Sequence, residues 1–170
     1  DIAYFDDVSG ASVILTIASA SSASAAYSNG DNDTVNNIEV YKLSDQGDSL
    51  IGFSGNDTVY GGGGSDRFTG NGGADTFFGE AGSDYFNLSG NGSVVDGGDG
   101  FDTVRMFSQT AYIDVTAGTA TFADGVGTVK WSDIERIRGS NTEDTFIGSA
   151  NADRLDGLSG DDTFFGAGGN

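Results

Sequence analysis

The chain has 170 residues with 26 acidic against 7 basic side chains, a formal charge of −19, and 29 glycines without a single proline, cysteine or histidine. Such a charge repels nucleic-acid backbones and anionic membrane surfaces, so neither is an expected partner. The missing His and Cys exclude imidazole triads, thiol nucleophiles and the usual zinc and iron ligand sets, and leave acidic oxygens that suit a hard divalent cation.

Low hydrophobicity with high charge reads as disorder, yet 11% aromatic residues supply the makings of a core. The two together predict a chain that folds once its charge is neutralised. Residues 1–42 read as a β-rich spacer. Its clearest strand is Ser12 to Ile17, and its clearest turn is Ser28-Asn29-Gly30-Asp31. The longest apolar run, Ser12 to Ala20, is too short and too polar to span a bilayer and lacks the basic flank of a signal peptide, so membrane insertion is not expected. Asp31-Asn32-Asp33 is no EF-hand, because Asn36 and Lys42 stand where its glycine and glutamate belong.

From residue 43 to residue 105 the chain repeats every nine residues: a loose LSDQGDSLI, then GFSGNDTVY, GGGGSDRFT, GNGGADTFF, GEAGSDYFN, a degenerate LSGNGSVVD, and GGDGFDTVR. The sixth positions are Asp48, Asp57, Asp66, Asp75, Asp84, Ser93 and Asp102; the eighth are Leu50, Val59, Phe68, Phe77, Phe86, Val95 and Val104. GGGGSD has no following lysine, and the surrounding field is acidic, so a phosphate cradle is not expected. A second spacer, 106–138, offers strands at Tyr112 to Val115, Thr119 to Phe122, Val129 to Trp131 and Ile134 to Ile137, with a turn at Ala123-Asp124-Gly125. A second block, 139–170, reads GSNTEDTFI, GSANADRLD and GLSGDDTFF, with Asp144, Asp153 and Asp162 at position six and Phe146, Leu155 and Phe164 at position eight. A shift of 96 residues carries Ile38-Glu39 onto Ile134-Glu135 and Asp48, Asp57 and Asp66 onto Asp144, Asp153 and Asp162. The chain is thus two copies of a spacer followed by nonapeptides. It stops at GAGGN, five residues into a unit, and opens at Asp1, so the natural protein is expected to continue.

These units match GGxGxDxUx, and the chain resembles the RTX (repeats-in-toxin, haemolysin-type calcium-binding repeat) family of secreted bacterial proteins over about two thirds of its length. The resemblance implies an all-β, calcium-stabilised parallel β-roll. It also implies secretion by a type I machinery, with an uncleaved C-terminal signal and folding outside the bacterium. The same fold follows from the residues. A glycine-rich hexapeptide turns the chain sharply and aims carbonyl oxygens inward, and the next three residues form a short strand whose central side chain faces the core. Successive turns lie on opposite edges of a flattened coil, so units eighteen residues apart stack. The expected aspartate pairs are 48/66, 66/84, 84/102, 57/75 and 144/162.

The expected ligands of several calcium ions are therefore Asp48, Asp57, Asp66, Asp75, Asp84, Asp102, Asp144, Asp153 and Asp162, with the backbone carbonyls of Gly61, Gly62, Gly63, Gly64, Gly70, Gly72, Gly73, Gly79, Ala81 and Gly82. Ser93 breaks the column above Asp75 and predicts a weak or missing site there. The equivalence of Glu39 and Glu135 argues for one structural role performed twice rather than for catalysis. The reading is a non-catalytic calcium-binding module, extracellular or on the cell surface. The alternative is an adhesin or epimerase accessory module that binds polysaccharide or a cell surface, with Tyr60, Phe78, Phe165 and Trp131 as candidate sugar contacts.

Overall fold

A computed structural model describes every residue except 6–9, 20, 90–91, 108–110, 124–126 and 170. The expected turn at Ala123-Asp124-Gly125 therefore falls mostly outside the described residues. The described residues form strands, turns and bends without a helix, and no helix is long and apolar enough to cross a membrane.

The first spacer gives β1 (Ile2–Tyr4), β2 (Val13–Ser19), β3 (Ser22–Tyr27), β4 (Asn32–Val35) and β5 (Val40–Lys42). The nonapeptides give β6 (Ser49–Ile51), β7 (Thr58–Tyr60), β8 (Gly63–Gly64), β9 (Arg67–Thr69), β10 (Thr76–Phe78), β11 (Ala81–Gly82), β12 (Tyr85–Leu88), β13 (Val94–Asp96), β14 (Asp99–Gly100) and β15 (Thr103–Met106). The second spacer gives β16 (Ala111–Asp114), β17 (Thr119–Phe122), β18 (Thr128–Ser132) and β19 (Arg136–Arg138), and the last units β20 (Thr145–Ile147), β21 (Leu155–Asp156) and β22 (Thr163–Phe165).

Alternation of the nonapeptide strands between two edges sorts them into two facing sheets. One runs β1-β5-β7-β10-β13-β18-β17-β16-β20-β22 and the other β21-β19-β15-β12-β9-β6-β2-β3-β4. Every pairing between nonapeptide strands is parallel and offset by eighteen residues, as with Val59 opposite Phe77 and Phe68 opposite Phe86. The eighth-position side chains point into the space between the sheets. Leu50, Val59, Phe68, Phe77, Phe86, Val95, Val104 and Phe146 are buried there. Phe68 stacks on Phe86 within its sheet at 4.8 Å and meets Phe77 of the other sheet at 5.3 Å, tying the faces together. Each such burial contributes roughly 1.5–3 kcal/mol. Phe164, half exposed, and Leu155, partly buried, are the exceptions, because β22 and β21 are edge strands with no neighbour on their outer sides.

The spacers extend the sheets rather than packing beside them. In each, three strands form an antiparallel meander: β2-β3-β4 lies in the second sheet and β16-β17-β18 in the first. The meander of the second spacer docks on the first block, with β18 parallel to β13 and β19 parallel to β15, so both sheets run unbroken from one repeat block into the next. The strand expected at Ile134 to Ile137 is β19, two residues later at its start, because Ile134 and Glu135 belong to the turn before it.

Candidate metal centre

The sixth-position aspartates sit where each turn enters its strand. All five expected pairs come together. The backbone N–H of Asp48 donates to Asp66 Oδ1 (2.7 Å), that of Asp66 to Asp84 (2.8 Å), that of Asp84 to Asp102 (2.7 Å), that of Asp57 to Asp75 (3.1 Å), and that of Asp144 to Asp162 (2.9 Å). Ser93 keeps the geometry without the charge, its Oγ accepting the Asp75 N–H at 3.2 Å.

The first column continues past Asp102 in a way the spacing alone does not announce. The Asp102 N–H donates to Glu135 Oε2 at 2.7 Å, so a spacer glutamate takes the place of the next aspartate. Counting nine back from Asp144 lands on Glu135, and nine back from Asp48 lands on Glu39. Both occupy position six of an unrecognised unit, with Ile137 and Tyr41 buried at position eight. That count was the available signal; the absence of glycines around it concealed it. Glu39 is engaged by the N-terminal ammonium group.

The second carboxylate oxygen separates two groups of these aspartates. Oδ2 of Asp66, Asp84 and Asp102 is buried and has no hydrogen-bond donor. It lies over the first-position glycine of its own unit, Gly61, Gly79 or Gly97, where a Cβ would collide with it. Position one is glycine because the carboxylate fills the side-chain space.

At Asp48, Asp57, Asp144 and Asp153 the unit itself supplies a donor. Asp48 Oδ2 accepts the Ser44 N–H (2.8 Å) and hydroxyl (2.9 Å); Asp144 Oδ2 accepts the same groups of Ser140 at 2.6 and 3.1 Å. Asp153 is held by the N–H and hydroxyl of Ser149 at 2.7 and 2.6 Å, and Asp57 by the Phe53 N–H at 3.2 Å. The position-two serines went unnoticed in the sequence because only glycine and aspartate stood out there. Asp153 is exposed, like Glu135 before it in the column and unlike Asp48, Asp66, Asp84 and Asp102.

Burial dominates the electrostatics. It pushes the Asp66 carboxyl up to about 8, Asp75 to about 7 and Asp84 to about 6, against the pull of a backbone N–H on each, with neighbouring carboxylates raising them further. Asp48, Asp57, Asp102 and Asp144 are raised for the same first reason. Buried carboxylates stacked like this are costly while charged, unless a cation neutralises them.

The turns themselves bring carbonyl oxygens to the same edge. Gly63-Gly64, Ala81-Gly82 and Asp99-Gly100 stack as a third small sheet, with the Ala81 N–H on the Gly62 carbonyl at 2.9 Å and the Asp99 N–H on the Glu80 carbonyl at 2.7 Å. Gly82 adopts φ +145° with the Gly64 carbonyl against its Cα, a conformation and approach that exclude a side chain. Among the described residues no group of three carboxylates converges, so a hard cation here would draw on two carboxylates and on carbonyls.

A family model for the RTX calcium-binding nonapeptide repeat matches the chain in four copies, over residues 48–86 and 138–170. The chain carries RTX calcium-binding repeats. No curated protein matches it. The RTX coil itself extends beyond the matched segments, since β13 and β15 continue both ladders through the degenerate unit at Ser93.

Proposed function

We propose that this chain is a non-catalytic RTX module whose folding is driven by calcium, with ions held between successive turns of the Asp66-Asp84-Asp102 column. The observation that carries this reading is the buried, donor-free Oδ2 on each of those three aspartates. An oxygen buried without a partner costs free energy, and a hard cation coordinated by it and by turn carbonyls removes that cost. Asp75 completes a pair with Asp57 on the opposite edge, while the serine-held Asp48, Asp144 and Asp153 are weaker candidates. Binding to the folded form alone couples the ion to folding. RTX repeats are typical of secreted bacterial proteins, which supports an extracellular role, export in the unfolded state by a type I machinery, and assembly where calcium is abundant.

The test is far-ultraviolet circular dichroism of the metal-free chain during a calcium titration, with magnesium as the control. A cooperative gain of β signal at about 0.1–1 mM calcium, the range of extracellular modules, and none with magnesium, is expected. A metal-free chain already folded and indifferent to calcium would overturn the reading.

A second reading, contact with a glycan, is favoured by the outer face of the first sheet, where Tyr60 and Phe78 stack at 4.5 Å and Lys42 lies over Tyr60 at 4.9 Å. Trp131 does not share that face: it lies half-buried against the core.

A further inference from the structure

The two copies contain equivalent clefts. In the first, β3 and β2 separate β4 from β6 in one sheet while β5 and β7 stay adjacent in the other; in the second, β17 and β16 separate β18 from β20 while β19 and β21 stay adjacent. Each copy has a cleft beside the turns that lead into the adjacent strands. The first cleft is lined by Ile17, Ile38, Glu39, Tyr41, Phe53 and Asp57 and has a volume of about 210 Å³. The second is lined at the corresponding places by Val115, Ile134, Glu135, Ile137, Ser149 and Asp153 and has about 540 Å³.

The difference has a residue-level cause. Phe53, half-buried against the core, lines the first cleft with a bulky ring; its counterpart Ser149 is small and turned to the Asp153 carboxylate. Tyr41 is likewise replaced by the smaller Ile137. The second cleft thus keeps an apolar floor of Val115, Ile134 and Ile137, lacks the phenyl ring that lines the first, and has Glu135, Asp153, Asn151 and Arg154 around it.

We propose that the cleft between the Glu135 and Asp153 turns binds a neutral pyranose ring. This deepens the glycan reading above and rests on it. A pyranose matches a phenyl ring in size, presents C–H faces to an aliphatic floor, and carries hydroxyls that donate to carboxylates and to the Asn151 carbonyl group. The larger cleft falls within the usual range of small-molecule sites, roughly 300–1,000 Å³, and the smaller one does not. Two carboxylates against one arginine, on a chain of charge −19, select against uronates and sulfated sugars.

The experiment is methyl NMR of the full chain in saturating calcium, titrated with the methyl glycosides of glucose, galactose and mannose, and with methyl glucuronide as the charged control. At least one neutral glycoside is expected to shift the Ile134 and Ile137 methyls saturably, while the glucuronide does not. Ser149→Phe, which introduces the ring found beside the first cleft, is expected to weaken binding at least tenfold while methyl signals outside the cleft show the fold retained. Ile137→Tyr serves if that variant fails to fold. No methyl shift at 100 mM sugar, or undiminished binding by the plugged variants, overturns the cleft. If binding instead moves the Tyr60 and Phe78 ring signals, the glycan reading stands and the cleft does not; if nothing moves, both fail.

Discussion

The interior of the first repeat block and the opening unit of each block use the same residue, an aspartate at position six, for different ends. In the interior, Asp66, Asp84 and Asp102 accept one N–H from the preceding turn and keep their other oxygen bare. At the openings, Asp48 and Asp144 take the N–H and hydroxyl of Ser44 and Ser140 within their own turns. The difference rests on position two. A serine there closes the turn with protein groups alone, whereas Gly62, Glu80 and Gly98 offer no hydroxyl and the carboxylate oxygen stays without a donor. Matching the repeat model therefore does not give every repeat aspartate the same surroundings.

That contrast can be tested from its coarsest consequence to its finest. Chelation of calcium is expected to abolish the β signal of the whole chain, since the interior column cannot stay charged and buried; retention of most of it would erase the distinction. Next in size, Gly82→Ala places a Cβ at φ +145° against the Gly64 carbonyl and is expected to cost at least about 3 kcal/mol. Gly166→Ala, with nothing within 4 Å, is its near-neutral control by chemical denaturation. Asp84→Asn, shared by two levels of the column, should remove bound calcium counted by native mass spectrometry and raise the folding midpoint by about tenfold in calcium, near 1.4 kcal/mol. Asp144→Asn should lower thermal stability without changing the ion count; equal ion loss from both would refute the division.

Protons provide a subtler probe. Burial raises Asp66 to about 8, Asp75 to about 7 and Asp84 to about 6, above the ordinary carboxylate value of about 4. The folded metal-free chain then binds protons more tightly than the unfolded one, so its stability rises on acidification and is lost as pH climbs through about 6 to 8. In chelator, β signal should increase between pH 8 and pH 5; in calcium, the same acidification should weaken ion binding. The smallest effect belongs to Ser140→Ala, which removes the hydroxyl that donates to Asp144 and accepts the Thr142 N–H and is expected to cost about 1 kcal/mol in thermal denaturation.

The coil and its pairings were legible in the sequence because a nonapeptide dictates both the turn and the inward side chain, and the count of eighteen follows. Asp57 and Asp75 could be paired on paper for that reason. Glu39 and Glu135 escaped because their units have lost the glycines that advertise the turn while retaining its place in the register. The meanders escaped for a different reason: short β-rich segments such as Thr119 to Phe122 show that strands form, but their partners are chosen by tertiary packing. Nothing local specifies that β17 and β16 will be laid into one sheet and not the other, so the clefts were invisible.

The two-sheet alternation limits how such a chain can change length. Each nonapeptide advances the coil by half a circuit, so β5 belongs to one sheet and its counterpart β19, 96 residues later, to the other. Inserting or deleting eighteen residues would lengthen or shorten the stack and leave every downstream side chain facing as before. A gain or loss of nine would carry everything beyond it to the opposite side, cleft and aromatic face included. The molecule is a screw whose orientation is preserved only by whole turns.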